Sequence, residues 1–278
     1  MWHDQLKEAH MSEQYPRTAL FGTEERTLFC PTLGREYHLS VALPDSYRTS
    51  TQAYPVIYVL EGDLLFGMAA GLTPIARWFL GAPEAIIVGI SYGMESYDQW
   101  VQLRERDFKI PEVRDAPPDS AANLFLDALT QEMIPFIEAN YRTIPSDRCL
   151  YGYSSSGFFV LYALFHQPDA FQRYLSGSGD LYIAYPYVIQ HDAQLAARDA
   201  ATPIQLYLSA GELEDDQFPY FHQLVAFFEQ GNYPGLTLTT EIYSGEGHGS
   251  EGIALTYLHG LRRVYPQAES EHLDGESV

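Results

Sequence analysis

Apolar and polar residues recur along this chain with different spacings, and each spacing predicts its own type of element. Two unbroken apolar runs, Pro55–Leu60 and Ala85–Ile90, are typical of parallel strands that are buried on both faces. Over Glu36–Leu43 every second side chain is apolar, which indicates a strand with one face towards solvent. Helical spacing of apolar residues over Ala121–Tyr141 predicts a helix, and Pro135 should bend it.

The remaining segments alternate strand and helix, and this order predicts an α/β layered fold with a mostly parallel central sheet and helices on both faces. Further strands are predicted at Thr18–Cys30, Cys149–Tyr153, Arg173–Leu175, Ile204–Ser209 and Leu236–Tyr243. Further helices are predicted at Ser156–His166, Tyr220–Glu229 and Gly252–Arg263. Residues 91–120, rich in Tyr, Arg, Asp and Pro, are predicted to form a long loop.

No linker divides the chain, so we predict a single domain over residues 17–266. Residues 1–16 are predicted to be a polar N-terminal extension, and the acidic residues 267–278 a frayed tail with almost no apolar side chains. Of the 278 residues, 46% are hydrophobic and 19% charged, which is enough apolar material for a folded core.

Composition also bears on location and partners. No apolar run approaches the roughly 18 residues of a membrane span, and the N-terminus lacks the pattern of a signal peptide. The only two cysteines, Cys30 and Cys149, match no disulfide or metal-ligand pattern. We therefore expect a reduced, cytoplasmic protein that needs no metal and does not bind membranes.

The net charge is −21, from 37 acidic and 16 basic residues. This charge disfavours nucleic acids and anionic lipids as partners, because both require a positive surface. It favours a neutral or cationic small molecule, although a local basic pocket could override the overall field. The sequence leaves a homo-oligomer open.

The string GYSSSG, residues 152–157, lies between a predicted strand and a predicted helix. It approximates the nucleophile elbow G-x-S-x-G, a sharp turn that needs small residues two places before and after its serine. Ser154 meets this condition, with Gly152 before it and Ser156 after it. At the other two serines a large aromatic residue would fall at one of these crowded places. A Ser/Gly-rich loop without chemistry is the alternative, but the strand–turn–helix context favours Ser154 as a nucleophile.

A nucleophilic serine needs a base and an acid that orients this base. In hydrolases with a nucleophile elbow these residues occur along the chain in the order serine, acid, histidine. His248 follows the predicted strand Leu236–Tyr243 in a glycine-flanked loop, where it could reach across the sheet edge. Four carboxylates, Glu212, Glu214, Asp215 and Asp216, follow the strand Ile204–Ser209. A surface histidine and a solvated acidic turn are the alternatives, and the residues alone do not select one acid.

Acyl transfer also requires amide groups that face the developing oxyanion. The residue after the nucleophile, Ser155, is one predicted donor. The second should come from the loop 60–66 after the strand Pro55–Leu60, where the amide of Asp63 or Leu64 is the candidate.

Four segments of the chain resemble the putative esterase branch of the α/β-hydrolase superfamily. They are YPVIYVLEGDLLF (54–66), RERDF (104–108), EMIPFIEANYRT (132–143) and YGYSSSGFFVLYALFHQPDAF (151–171). With the acid and His248 they span most of residues 25–265. The resemblance is closest to the siderophore (trilactone) esterase-like subgroup, in which an L-[DE]-G-D loop follows the strand, and feruloyl esterases belong to the same branch. It implies the α/β-hydrolase fold and serine ester hydrolysis, and is much less specific for the substrate.

The resemblance also implies which acid orients the histidine. In the family the acid usually comes three residues after a glycine at the strand end, which from Gly211 is Glu214. Glu212 is the alternative, and a Ser–His dyad without an acid is a third.

Two features depart from the siderophore esterase pattern. Those enzymes act on negatively charged ferric complexes, which a chain of charge −21 would repel unless Arg104 and Arg106 form a local basic pocket. A surface ion-pair cluster is an equal interpretation of these arginines. In addition, Ser176–Tyr182 replaces the family's Ser-Pro-Ser-x-Trp run, which changes that side of the pocket.

The loop over Ser91–Pro118 is predicted to cover the site, because loops after central strands lie at the edge where ligands bind. Substrate contacts are predicted from Glu61, Tyr92, Trp100, Arg104, Arg106 and Tyr182. An aromatic wall would suit an aryl or acyl ester. The alternative for about half of the rings is that they pack the loop onto the body.

Together these features predict a serine carboxylic-ester hydrolase that forms an acyl-enzyme on a small or aromatic ester, without metal or organic cofactor. Ser154 would attack, His248 would act as base and then acid, and Glu214 would orient His248. A trilactone siderophore esterase, a carbohydrate-linked acetyl or feruloyl esterase and an acyltransferase are related alternatives. A non-catalytic binding protein of the same fold is the alternative from a different class.

Overall fold

The computed structural model describes residues 20–94, 96–110, 120–199 and 201–265, and these form an α/β fold around one sheet. Its eight strands lie in the order β1-β2-β4-β3-β5-β6-β7-β8. They are β1 Thr23–Cys30, β2 Arg35–Ala42, β3 Tyr54–Val59, β4 Ile86–Ser91, β5 Thr143–Tyr153, β6 Arg173–Gly177, β7 Ile204–Gly211 and β8 Leu236–Tyr243. Strand β2 is antiparallel to both of its neighbours and all other pairs are parallel, so the prediction of a mostly parallel sheet is confirmed.

Helices cover both faces of this sheet, as predicted. They are α1 Gly62–Leu80, α2 Tyr97–Phe108, α3 Ala122–Ala128, α4 Ile134–Asn140, α5 Ser155–His166, α6 Leu181–His191, α7 Ala193–Ala196, α8 Phe218–Gln230 and α9 Ser250–Val264, with a short 3₁₀ helix at Asp45–Arg48. Helices α1 and α9 contact each other on one face, and α5, α6 and α8 pack in a row on the other. Two clusters of buried apolar side chains result.

The long loop predicted over residues 91–120 contains a helix, and this part of the prediction was wrong. Helix α2 begins after Ser96, whose side chain accepts a hydrogen bond from the Gln99 amide at 3.2 Å. It buries only Trp100, Asp107 and Phe108 of its twelve residues. Such a polar helix carries little apolar periodicity, which is why the sequence pattern did not reveal it.

The helix predicted over Ala121–Tyr141 is present as α3 and α4, joined by one wide π-helical turn at Leu129–Met133. Pro135 lies at the start of α4 and has no N–H to donate to the preceding turn. The wide turn accommodates this missing hydrogen bond, so the irregularity expected at Pro135 lies just before it.

Helices α1 and α6 were not predicted. Helix α1 contains Pro74 and several glycines, and α6 contains Pro186, and both residue types weaken a helical pattern. No helix among the described ranges is long and apolar enough to cross a membrane. Residues 1–19 and 266–278 lie outside the described residues, so the extension and the tail remain predictions.

The junction between β5 and α5 is closely packed, backbone against backbone. A Cβ atom at Gly152 would lie 2.3 Å from the Ser156 carbonyl oxygen, which is backbone and cannot turn away. The first turn of α5 therefore lies directly on the end of β5, and this contact positions the chain between them.

We expect Gly152→Ala to lower the free energy of unfolding by about 1–3 kcal/mol, because the added methyl group overfills this junction. Gly67→Ala in α1 is the matched control, since nothing lies within 4 Å of its added Cβ. In a helix interior alanine should stabilise by about 0.5–1 kcal/mol relative to glycine. Urea unfolding of both variants measures the difference, and equal values would contradict the packing argument.

Candidate active site

Ser154 occupies the sharp turn between β5 and α5. Its backbone has φ 60° and ψ −127°, a strained combination for a residue with a side chain. The turn is held by a hydrogen bond of 2.9 Å from the Ser154 amide to the Gly177 carbonyl oxygen on β6. Added Cβ atoms at Gly157 and Gly179 would meet backbone atoms at 3.0 Å or less, so these glycines allow the close approach. This is the geometry of a nucleophile elbow.

His248 lies on the loop between β8 and α9 and connects Ser154 to Glu214. Its Nε2 is 3.0 Å from the Ser154 Oγ, and its Nδ1 is 2.9 Å from the Glu214 Oε2. The histidine side chain is 40% exposed, whereas that of Glu214 is 1% exposed. The structure thus brings together the predicted nucleophile, base and acid in one hydrogen-bonded line, with the acid inside and the serine outside.

Glu214 is held on its inner side as well. Its Oε1 accepts hydrogen bonds from the Ser178 hydroxyl at 2.5 Å and from the Gly211 amide at 2.8 Å. Ser178 also lies 3.0 Å from the hydroxyl of Tyr153, which accepts a hydrogen bond from the Gly249 amide beside His248. These contacts fix both the acid and the histidine loop.

The same contacts set the protonation of the pair. Burial acts to raise the pKa of Glu214, but the hydrogen bonds from His248, Ser178 and Gly211 outweigh it and lower that pKa below its ordinary value. The hydrogen bond to Glu214 raises the pKa of His248, against its own burial. The acid is therefore ionised and the histidine is a stronger base than free imidazole.

Glu212, the alternative acid, lies elsewhere. Its exposed carboxylate accepts hydrogen bonds from the Ser244 hydroxyl at 2.6 Å and the Gly245 amide at 2.9 Å. These bonds hold the turn after β8. The carboxylate that contacts His248 is therefore Glu214, the residue three places after Gly211 that the family resemblance implied.

Two helices begin in the segments predicted to supply the oxyanion amides. Ser155 is the first residue of α5, and α1 begins at Gly62, so the first amides of both helices have no partner within their own helix. The Leu64 amide is different, because it donates to the Glu61 carbonyl oxygen at 2.9 Å. The prediction of Leu64 as an oxyanion donor is therefore corrected, because its amide is already hydrogen-bonded. The amides of Ser155 and Asp63 remain the predicted donors.

Glu61 was predicted to contact substrate, and the structure corrects this. Its carboxylate is buried, with one oxygen 2.5 Å from the Ser156 hydroxyl and the other 2.5 Å from the Arg104 Nε. Its backbone is left-handed, with φ 57°, at the point where α1 begins. Glu61 therefore links three parts of the site: the loop after β3, the elbow and α2. Its contact with the elbow comes from Ser156, the residue that replaces the second glycine of the elbow pattern.

The two arginines of the RERDF segment do not form a free basic pocket. Arg104 is paired with Glu61 and lies 4.8 Å from the centre of the Trp100 ring. Arg106 donates to the buried Asp107 at 3.1 Å, and Asp107 also pairs with Arg35 on β2. The interpretation of these arginines as ion-pair residues therefore holds for Arg106, and the prediction that Arg106 contacts substrate is corrected.

The predicted aromatic wall is only partly accessible. The hydroxyl of Tyr92 is buried and its ring lies 5.8 Å from that of Tyr37 in the core, so its predicted substrate contact is corrected. Trp100 is 7% exposed and packs between Arg104 and Tyr97, which makes it a support for Arg104. Tyr182, on the first turn of α6, is 51% exposed and remains a predicted substrate contact.

Asp180 is a site residue that was not predicted. It ends the loop after β6 with a left-handed backbone, φ 34°, and its Oδ2 accepts a hydrogen bond of 2.9 Å from the Ser155 hydroxyl. The signal that could have found it is the departure of Ser176–Tyr182 from the family's Ser-Pro-Ser-x-Trp run. Among the described residues no group of three or more His, Cys, Asp or Glu side chains could hold a metal ion.

Comparison with known proteins identifies the family of the chain. The model of the putative esterase family matches residues 30–221. The ferri-bacillibactin esterase BesA of Bacillus subtilis is 30% identical over 256 residues, covering 82% of this chain and 84% of that protein. The siderophore triacetylfusarinine C esterase of Aspergillus fumigatus is 31% identical over 160 residues, covering 54% of this chain and 53% of that protein.

Solved structures share the fold. The BES protein from Bacillus cereus superposes with a TM-score of 0.80 at 23% identity, covering 91% of this chain and 98% of that one. The siderophore hydrolase EstB from Aspergillus nidulans gives 0.75 at 21% identity, covering 90% and 97%. With the family match and the BesA similarity, the chain belongs to the putative esterase family of α/β-hydrolases and is a carboxylic-ester hydrolase.

Proposed function

We propose that the chain hydrolyses a small or aromatic carboxylic ester through a Ser154–His248–Glu214 triad and an acyl-enzyme. The observation that carries the proposal is the continuous hydrogen-bonded line of 3.0 Å from Ser154 Oγ to His248 Nε2 and 2.9 Å from His248 Nδ1 to Glu214 Oε2. In the first half-reaction the Ser154 oxygen attacks the ester carbonyl carbon while His248 Nε2 takes the hydroxyl proton. Glu214 keeps Nδ1 protonated and stabilises the imidazolium that forms.

The first half-reaction ends when His248 gives its proton to the departing alkoxide, so that the alcohol leaves and the acyl group stays on Ser154. In the second half-reaction water attacks the acyl carbon while His248 accepts a proton from it. His248 then returns this proton to the Ser154 oxygen as the carboxylic acid leaves. The 40% exposure of the His248 side chain supports this step, because water can reach the base.

We assign the oxyanion to the amides of Ser155 and Asp63. Both lie in the first turn of a helix, where unpaired N–H groups and the positive end of the helix dipole favour negative charge. The Asp63 carboxylate supports this loop, since it accepts hydrogen bonds from the Tyr92 amide at 2.7 Å and the Gly93 amide at 3.1 Å.

We assign Glu61 as a positioning residue. One carboxylate oxygen contacts the elbow through Ser156 and the other contacts α2 through Arg104, so a single buried group sets the distance between the oxyanion loop and the nucleophile. Charge-assisted hydrogen bonds are short and directional, which suits this role.

A siderophore ester is the second candidate substrate, and the 30% identity to the ferri-bacillibactin esterase favours it. The ion pairs of Arg104 and Arg106 weigh against a multiply anionic ferric complex. A small-molecule ester, with no nucleic acid partner, agrees with both the charge of −21 and the relatives.

Ser154→Ala should abolish ester turnover, with kcat falling on the order of 10⁴- to 10⁶-fold, because no other group can carry the acyl chain. The assay is hydrolysis of p-nitrophenyl butyrate together with fluorophosphonate labelling and peptide mapping. Ser244→Ala is the control, since this exposed serine contacts only the turn at Glu212 and should keep both turnover and label. Native-like activity of the Ser154 variant, or a label on another residue, would remove the assignment.

Glu214→Gln should lower kcat by roughly 10²- to 10⁴-fold and move the acid limb of kcat/KM to lower pH. Activity needs neutral His248 and is lost as pH falls through the pKa of that histidine. The Glu214 hydrogen bond raises this pKa, so removing the negative charge lowers it.

The measurement is kcat/KM against pH for the native protein, Glu214→Gln and the control Glu212→Gln. Glu212 contacts only the turn after β8, so its variant should keep the native profile. An acid limb that stays in place or moves to higher pH in Glu214→Gln contradicts the proposed pairing.

Glu61→Ala should lower the free energy of unfolding by about 2–4 kcal/mol, because it leaves the largely buried Arg104 with only its 3.5 Å contact to Glu105. It should also slow fluorophosphonate labelling of Ser154, since the loop and the elbow lose their common contact. Glu25→Ala removes an exposed contact with His38 and should change neither quantity measurably. Unchanged unfolding and labelling in Glu61→Ala would contradict the positioning role.

A further inference from the structure

We propose that Asp180 determines specificity, favouring esters that carry a cationic group, such as a substituted ammonium, close to the scissile carbonyl. This inference rests on the proposed ester hydrolysis at Ser154 and adds the charge of the substrate to it.

The position of Asp180 places a carboxylate beside the reacting groups. Its Oδ2 lies 2.9 Å from the hydroxyl of Ser155, the residue that directly follows the nucleophile. Asp180 is half-buried at the start of α6, and the exposed Tyr182 follows it on the same helix. A substrate bound at Ser154 therefore lies within reach of this carboxylate.

Among the described residues, the basic side chains near Asp180 pair with other carboxylates. Arg104 pairs with Glu61, Lys109 with Glu105, and Arg106 with Asp107. Within the described part of the chain, Asp180 forms no ion pair, and its one side-chain hydrogen bond comes from the neutral Ser155. The fields of Arg104 and Lys109 reach it only from a distance.

Electrostatics at this place favour a cationic substrate. In the transition state negative charge develops on the carbonyl oxygen near the Ser155 amide, and an ionised Asp180 on the same turn repels it. The same carboxylate favours the imidazolium form of His248, so for a neutral ester the two effects oppose each other. A positive group on the substrate adds an attraction that is present only for cationic esters.

The field of the whole chain acts in the same direction. At a net charge of −21 the protein attracts cations and repels anions before contact. All surface carboxylates contribute to this long-range attraction, whereas the short-range attraction depends on Asp180. Substitution of Asp180 alone therefore separates the two contributions.

The experiment compares two esters of nearly equal shape, butyrylcholine and its uncharged carbon analogue 3,3-dimethylbutyl butyrate. The measured quantity is the ratio of their kcat/KM values in the native protein, Asp180→Asn and Glu229→Gln. Asparagine tolerates the left-handed backbone at position 180 as well as aspartate does, so the variant keeps the turn. Glu229 is exposed near the end of α8, which runs towards the opposite edge of the sheet from Ser154, and its variant removes the same net charge.

We expect the native protein to prefer the cationic ester by roughly tenfold, with the effect mainly in KM. In Asp180→Asn the ratio should fall severalfold, to the smaller preference that the long-range field alone provides. Glu229→Gln should keep the native ratio.

A native preference for the neutral ester, or an unchanged ratio in Asp180→Asn, overturns the inference. If in either case the neutral ester is hydrolysed and the fluorophosphonate labels Ser154, the ester hydrolase proposal stands and only the role of Asp180 fails. Absence of turnover for both esters together with absence of label on Ser154 overturns both proposals.

Discussion

The close contact between the end of β5 and the first turn of α5 is the constraint on which the rest of the site depends. It forces Ser154 to φ 60° and directs its hydroxyl away from the sheet. The contact exists because the positions around it are glycine or serine, and a Cβ at Gly152 would lie 2.3 Å from backbone. Every other functional group is placed relative to this turn, so the catalytic distances follow from backbone packing before any side chain is considered.

A second layer of support consists of buried charge. Glu61 lies beneath the elbow with both oxygens in charge-assisted or short hydrogen bonds, from Ser156 and Arg104. Burial raises the pKa of this carboxyl while Arg104 and Ser156 act in the opposite direction. A buried ionised group is costly unless it is fully paired, so Glu61 favours the one arrangement in which loop, elbow and α2 meet.

The sequence predicted the central strands well because their signal is local. A strand such as β8, whose bounds Leu236–Tyr243 match the prediction, follows from consecutive residue types alone. Helix α2 was not predicted because it buries three of twelve residues, and α1 because Pro74 and three glycines interrupt its pattern. These helices are stabilised by packing against residues that are distant in sequence, and a short stretch of sequence does not show such contacts.

The same distinction explains the prediction of the site. Ser154 and His248 follow from a motif and its chain order, and Glu214 from the spacing of the family. The partners of Glu61 and Asp180 do not, because Ser156 is 95 residues from Glu61 and Ser155 is 25 residues from Asp180. Whether such a carboxylate contacts substrate, orients a neighbour or closes an ion pair is decided by three-dimensional neighbours.

Three carboxylates surround the nucleophile, and their partners divide their functions. Glu61 is neutralised permanently by Arg104, so its charge serves structure. Glu214 faces His248, which gains a positive charge only during the reaction, so its charge serves catalysis. Asp180 meets a neutral hydroxyl and has no cation among the described residues to pair with. A carboxylate that forms no ion pair among the described residues is available to the third participant in the site, the substrate. The charge of the substrate is therefore the property on which we expect the site to discriminate.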